Sequence, residues 1–363
     1  MSKLHKIFSF IIATLNIIVA ILTIASAFAG YIDPQSISLA PILCMTFPIW
    51  AIFTIILIPI TFLIRKRYTL IPLATLLICI SPILSICPLN FTSDNSDPES
   101  NNSFSLLSYN VHNFKPHDNI YPEDKTNATL SFIIRTDADI VCMQECEYLS
   151  PLPAWHVYRP QVDSLKKQYP HRIISPDNGE SILSKYPVKN ISSNGFYSHF
   201  NVTIDNQALD IINVHLRSLR LTVDDKKQYQ ALADFDDRTN IETSAWKSII
   251  SKIAIAAKLR AKQATAIRNY IEKIDNKNII VCGDFNDIPR CFAINTISNG
   301  EFKDVYAQCG FGPTITYHRD RIYFRIDHIL YKGNFKATSI DRNDIDRSDH
   351  YPLYATFSWD LSN

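Results

Sequence analysis

The first ninety residues carry almost no charge, and this constrains the chain more than any other feature. Between Met1 and Asn90 the formal charges are Lys3, Lys6, Arg65, Lys66 and Arg67 against Asp33. Three apolar stretches run from about Ile7 to Ala29, from Leu39 to Ile64 and from Leu70 to Leu89. Each reaches the roughly 20 residues that cross a hydrocarbon core. In lipid a helix satisfies its own backbone polar groups, so three transmembrane helices are expected. The first stretch exceeds the roughly 7–15 apolar residues of a cleaved signal and two more follow it, so it is expected to be retained.

Orientation follows from the basic residues, which favour the cytoplasmic side. Lys3 and Lys6 precede the first stretch, Arg65-Lys66-Arg67 separate the second and third, and Tyr31–Ser38 has no Lys or Arg. The N-terminus and the basic triplet are therefore expected inside. Everything after residue 90 then lies on the periplasmic or outer side of a cytoplasmic membrane. Pro59, Pro72 and Pro82 fall within the stretches, which membrane helices tolerate. No ionisable residue sits deep in a stretch, so a transport or proton-relay role lacks its marker and a plain multi-pass anchor is expected.

Phe91–Ser103 is rich in Ser, Asn, Asp and Pro, the composition of a linker. The chain is then expected to divide into an anchor over 1–90, a linker over 91–103 and a soluble domain over 104–363. The anchor carries +4 and the whole chain +1, which leaves −3 on residues 91–363. A strongly basic nucleic-acid-binding domain has a different balance. No C-x-x-C pair occurs among the eight cysteines, so zinc or thioredoxin-like chemistry is unsupported. Cys142 and Cys282 fall in apolar runs and read as small core residues.

Short apolar runs in the soluble part read as strands: Phe104–Asn110, Ile140–Gln144, Ser181–Ser184, Phe200–Ile204, Leu209–His215, Asn278–Gly283, His328–Tyr331 and Pro352–Phe357. Ala128–Ile134 reads as a short helix. Lys247–Ile274 reads as a long one, with Ile249, Ile253, Leu259, Ile267 and Ile271 spaced for one apolar face. Strands with interspersed helices predict an α+β or layered α/β fold. Arg220–Thr243 is polar, and both a loop over the site and a solvated insertion fit it.

Polar groups recur where the apolar runs end. Asn110 closes the first, Glu145 follows the second, His215 ends another, and Gly283-Asp284-Phe285-Asn286 closes the strand after the long helix. Near the C-terminus come Asp327-His328 and Ser348-Asp349-His350. Strand ends are where sheet scaffolds bring functional groups to one cleft. Phosphoester hydrolysis needs oxygen ligands for a hard cation, a base for water and donors for developing charge. These residues supply all three. Singly, each has an ordinary reading: Asn110 as a turn former, His215 as a satisfied histidine, Gly-Asp-Phe-Asn as a turn. The Asp-x-Asn pattern lacks the later Glu of an EF-hand.

Taken together, L-S-Y-N-V, I-V-C-M-Q-E, I-L-S-K-Y-P-V, I-N-V-H-L, G-D-F-N-D and S-D-H-Y-P-L resemble the endonuclease/exonuclease/phosphatase family. The resemblance spans about Phe104 to Trp359, and G-D-F-N with a terminal S-D-H is its most specific part. It implies a four-layered αββα sandwich with mostly antiparallel sheets and the site at one end. It also implies dependence on Mg²⁺ or Mn²⁺, with Glu145, Asn110 and Asp349 at the metal. Asp284 then matches the residue that activates water, and Asn286 the phosphate-contacting Asn. His350 matches the terminal His, oriented by Asp327, and shares the base role with Asp284. His215 matches the His that contacts phosphate or protonates the leaving group. Arg217, two residues beyond His215, suits either a phosphate contact or a rim salt bridge. His328 follows Asp327 and is expected to point away.

The resemblance fixes the reaction more firmly than the substrate. A phosphodiesterase or nuclease is expected. A phosphomonoesterase on a small phosphate compound and a lipid-headgroup phosphodiesterase are the alternatives, the latter suiting a tether that keeps the domain near a bilayer. A catalytically inactive membrane-tethered binding module is a further alternative, disfavoured because every motif position is filled.

Overall fold

Proline decides where the apolar N-terminal stretches break into helices. In this computed structural model, which describes residues 3–91, 102–115, 126–146, 158–175, 179–222, 224–226, 243–319, 323–345 and 347–360, helix α1 spans Lys3–Phe28 and ends in a 3-10 turn at Ala29–Tyr31. Helices α2 (Ala40–Met45) and α3 (Phe47–Ile64) replace one expected continuous stretch. Pro48 has no N–H for the carbonyl of Cys44, so the helix ends there and restarts. Helices α4 (Leu70–Ile78) and α5 (Ile80–Ile86) break likewise: Pro82 cannot bond back to Ile78, and the pair bends by 59°. The expectation of three transmembrane helices is corrected to two, or three if the bent pair is one span. Ile7–Tyr31 and Phe47–Ile64 are long and apolar enough to cross a membrane, and the third stretch counts only as a bent pair.

The N-terminal helical bundle is inside-out relative to a soluble one. Phe10, Leu63 and Leu77 are exposed, whereas Thr23 and Thr54 are buried and share a 2.8 Å hydrogen bond between α1 and α3. Apolar outer surface with small polar groups at helix contacts is what a lipid environment favours. Because α1 and α3 run antiparallel, Gly30 and Met45 lie at one end of the bundle and Arg65–Arg67 at the other.

Among the described residues, twelve strands form two six-stranded sheets. The first has the order β11 (Phe335–Arg342), β12 (Leu353–Trp359), β1 (Ser103–Asn110), β2 (Ile140–Gln144), β4 (Ser181–Ser184), β3 (His171–Ile173). The second has the order β5 (Val188–Asn194), β6 (Tyr197–Ile204), β7 (Gln207–His215), β8 (Ile279–Asp284), β10 (Asp327–Lys332), β9 (Lys303–Asp304). Each sheet contains one parallel pair, β1 with β2 and β7 with β8. The strands that the apolar pattern did not predict, β3, β5, β9 and β11, are the four at the sheet edges. There one face meets solvent: Val188–Asn194 is largely exposed.

Central strands are apolar on both faces because both are covered. Along β1, Phe104 and Leu106 enter the inter-sheet core with Ile140, Cys142, Ile211, Ile280, Cys282 and Ile329. Leu107 and Tyr109 point the other way, against Leu130 and Ile133 of α6 (Ala128–Thr136) and Leu165 of α7 (Arg159–Gln168). On the far side Ile212, Val214 and Val281 pack under Ala264, Ile267 and Ile271 of α8 (Thr243–Ile271) and Ile297 of α9 (Phe292–Ser298). The result is an αββα sandwich. Each fully buried aliphatic side chain contributes about 1.5–3 kcal/mol. Only part of the apolar face expected on the long helix is covered: Ile249, Ile267 and Ile271 are buried, but Ile255 and Leu259 are exposed.

The sandwich sits on the end of this N-terminal bundle away from Arg65–Arg67. A Cβ on Gly30 would lie 1.7 Å from the Arg290 carbonyl oxygen, so only glycine permits this approach. Asn295 Nδ2 donates to Gly30 O (3.0 Å), Gln35 Nε2 to Lys258 O (2.7 Å) and Arg325 Nη2 to Ser85 O (3.0 Å). The thiols of Cys44 and Cys291 are 3.2 Å apart. Most of the expected linker and of the polar segment 220–243 lies outside the described residues.

Candidate active site

Strand register brings the expected residues to one end of the sandwich. His215 on β7 is level with Asp284 on β8, and Asp284 is level with Asp327 on β10. On the facing sheet Asn110 ends β1, level with Gln144 on β2, and Glu145 follows at once. Ser348-Asp349-His350 precede β12, which pairs with β1. Two of these turns need special backbone. Gly283 has φ +133°, and a Cβ there would stand 2.1 Å from the Val214 carbonyl oxygen. Glu145 has φ +51° despite its side chain, the kind of strain that packing holds in place at functional sites.

The side chains converge. His350 Nδ1 lies 2.8 Å from Asp327 Oδ2. A carboxylate only accepts, so Nδ1 carries the proton. Its Nε2 faces Asp284 Oδ2 at 3.6 Å, beyond hydrogen-bond length. Asn110 Nδ2 donates to both Asp284 Oδ2 and Glu145 Oε1, each at 3.2 Å. His215 Nε2 is 3.7 Å from each of those two oxygens. Asn286 donates its backbone N–H to Asp284 Oδ1 (2.8 Å) and its side-chain amide to Leu216 O (3.0 Å). Beneath lies a buried amide network in which Gln144 donates to Asn213, and Asn213 to the carbonyls of Met143 and Ser181.

Electrostatics separates the roles. Burial raises the Asp284 carboxyl, opposed by His350, and leaves it at about 6. Burial pulls the His350 imidazole down, but Asp327 and Asp284 outweigh it and raise it to about 10. Burial pushes Asp349 up, yet hydrogen bonding from His112 and the charge of His350 hold it well below the usual carboxylate range. His112, whose Nδ1 is 2.9 Å from Asp349 Oδ1, is in turn raised by that bond.

Glu145, His215, Asp284, Asn286, Asp349 and His350 line a pocket of about 250 Å³. Asn110 and Asp327 are buried behind it. Arg217 is not in the lining: its backbone is tied to Gln263 and Arg260. His328 is buried and bonds the Asp287 carbonyl instead. The sequence patterns missed three groups. His112, two residues beyond Asn110, belongs to no motif and reaches Asp349 at 2.9 Å. Tyr317, whose ring is 5.1 Å from that of His350, belongs to no motif. Met45 reaches the pocket from the N-terminal helical bundle.

Two sets of groups suit a cation. Glu145 and Asp284 present carboxylate oxygens of the kind that hard cations take, whereas Asn110, expected at the metal, turns its Nδ2 to both of them and accepts the His112 N–H at its Oδ1 (3.1 Å). Ligand atoms of Asp284, Asp327 and His350 also lie within 4.8 Å of one another.

The family model described as endonuclease/exonuclease/phosphatase matches residues 107–350, and a model described as a domain of unknown function matches residues 5–86. No curated protein matches the chain. Among solved structures, an endonuclease/exonuclease/phosphatase family protein from Bacteroides thetaiotaomicron is 17% identical with TM-score 0.44, covering 71% of this chain and 98% of that one. The human nocturnin catalytic domain with bound sulfate is 14% identical with TM-score 0.46, covering 71% and 94%. D. rerio TDP2 complexed with single strand DNA product is 18% identical with TM-score 0.43, covering 70% and 99%.

Proposed function

The chain belongs to the endonuclease/exonuclease/phosphatase family of phosphoester hydrolases, and from this we propose that it hydrolyses a phosphoester by water attack, with a divalent cation, beside a membrane. Residues 104–363 would do the chemistry and residues 1–90 hold it at the outer face. The observation that carries the proposal is the level placement of His215, Asp284 and Asp327 on three adjacent strands, with His350 held by Asp327 and turned toward Asp284.

The chain's own groups divide the work as follows. Asp284, poised at about 6, orients the attacking water and takes its proton, since a base near the working pH combines ionisation with proton affinity. His350, raised to about 10, stays charged and donates from Nε2 to a phosphoryl oxygen. Asp327 fixes its ring. His215 gives a proton to the leaving oxygen as the phosphorus–oxygen bond breaks. Asn286 contacts the phosphate and steadies Asp284 through its backbone N–H. Glu145 and Asp349 would hold Mg²⁺ or Mn²⁺, and Asn110 would join them with its amide turned so that Oδ1 faces the carboxylates. When bound, the cation supplies positive charge against the phosphoryl oxygens.

Full-length protein in lipid nanodiscs, assayed on bis(p-nitrophenyl) phosphate and p-nitrophenyl phosphate with Mg²⁺, Mn²⁺ or EDTA, tests the proposal. Cation-dependent turnover is expected, reduced roughly 10²–10⁴-fold in Asp284→Asn. A folded, cation-binding protein that turns over neither ester overturns it. For orientation, a reporter fused after residue 90 is expected to be active only outside the cytoplasm.

A further inference from the structure

The active-site pocket has two unlike walls. One carries His215, Asp284 and His350. The other is apolar, formed by Ile288, Phe324 and Ile326 of the sandwich and by Met45, the last residue of α2 in the anchor. These four belong to one apolar cluster with Ala29, Leu43 and Cys44 of the anchor. The pocket wall and the anchor's interior are thus a single continuous surface, two residues upstream of the membrane-length helix α3.

The approach is fixed, because Gly30, Gln35 and Ser85 are all tied to the sandwich. The same flank is apolar outside the pocket as well. Ile37 and Leu39 of the segment between α1 and α2 are exposed, as are Ile255 and Leu259 of α8, which this segment touches through Gln35 and Lys258. The pocket is also lined by Arg220 and Lys226, cations suited to an anionic head.

We infer that the substrate is a phosphoester borne on a long hydrocarbon chain, with its phosphate at Asp284 and His350 and its chain lying over Met45, Ile288, Phe324 and Ile326 toward the anchor. This rests on the proposed hydrolase function and adds the substrate class. The physical reason is selectivity. A soluble phosphate compound gains nothing from an apolar wall, whereas each methylene buried there is worth about fourfold in binding. Placing that wall on the anchor puts the site where bilayer-dissolved chains are concentrated.

The test is a series of alkyl p-nitrophenyl phosphodiesters, from methyl to dodecyl, hydrolysed by the full chain in phosphatidylcholine nanodiscs with Mg²⁺ or Mn²⁺. The expected kcat/KM rises at least ~10-fold along the series. Met45→Ser and Phe324→Ser are each expected to flatten that rise, and Met45→Leu to keep it. Because both serine variants sit in the same discs, simple partitioning of long esters into lipid cannot mimic the result. A flat series, or a rise unchanged in both serine variants, overturns the inference while turnover of the methyl ester leaves the hydrolase function standing. Absence of turnover on every ester instead removes the hydrolase function itself. Discs containing phosphatidylglycerol or a polyprenyl phosphate then tell an acyl from an isoprenyl chain by which one releases product.

Discussion

His350 Nδ1 lies 2.8 Å from Asp327 Oδ2, and both residues are buried. The contact fixes the ring so that Nε2 faces the pocket. It also places a proton on His350 that bulk water at neutral pH would remove, since an exposed imidazole titrates at about 6.5.

Asp327→Asn is therefore expected to lower kcat by about 10–100-fold, the usual cost of losing a group that orients another. It should also move the alkaline limb of the pH–rate profile to lower pH, because His350 is no longer held up near 10. The linkage has the matching sign. A histidine raised in the folded state stabilises fully below its unfolded pKa and loses that contribution as pH rises through about 10. An unchanged alkaline limb in Asp327→Asn would show that the pair does not set the charge of His350.

Cation binding should be visible without turnover. Mg²⁺ or Mn²⁺ that binds the folded site raises Tm by mass action, and EDTA reverses the rise. Glu145→Gln removes one of the proposed carboxylate ligands while keeping its shape. The variant is expected to need at least ~10-fold more cation for the same rise. An identical titration in the variant would move the cation to the Asp284, Asp327 and His350 group.

Glu180 gives a pH dependence unconnected to the reaction. It is buried, and burial raises its carboxyl from 4.5 to about 8. The folded state keeps a proton that the unfolded chain releases above about 4.5. Stability is therefore lost as pH rises from there, until the folded carboxyl has titrated near 8. At about 1.4 kcal/mol per pH unit the loss reaches a few kcal/mol. Glu180→Gln, which has no charge to bury, should melt higher than wild type at pH 8.5, with the gap narrowing toward pH 5. A constant gap across that range would remove burial of the charge as the cause.

The seat of the sandwich on the anchor depends on Gly30. Gly30→Ala places a methyl 1.7 Å from the Arg290 carbonyl, so the Asn295 hydrogen bond to Gly30 and the cluster around Met45 should loosen. Limited proteolysis in nanodiscs is expected to cut between anchor and sandwich at least ~10-fold faster than in wild type, from a loss of about 1.4 kcal/mol or more. Equal cleavage rates would show that this approach contributes nothing to the seating.

Sequence by itself determined the features that rest on local pattern. Lack of charge marked the apolar helices, since lipid excludes charge whatever the fold. Continuous apolar runs marked the central strands, whose two faces are both covered. Asn110, Glu145, His215 and Asp284 stand out in the sequence because each closes such a run, and His350 because its S-D-H leads into the last one, in motifs that resemble a family's. Only the tertiary structure decided what depends on distant segments meeting. The edge strands β3, β5, β9 and β11 are defined by a neighbour's hydrogen bonds rather than by their own apolarity. The bend before Pro82 arose from a single missing N–H inside an otherwise apolar run. His112 acquires its meaning from Asp349, 237 positions away in the chain, at 2.9 Å. Met45 looks like any apolar anchor residue until folding sets it in the wall of the pocket. No local pattern records such a contact, because its energy lies in the packing of one segment against another.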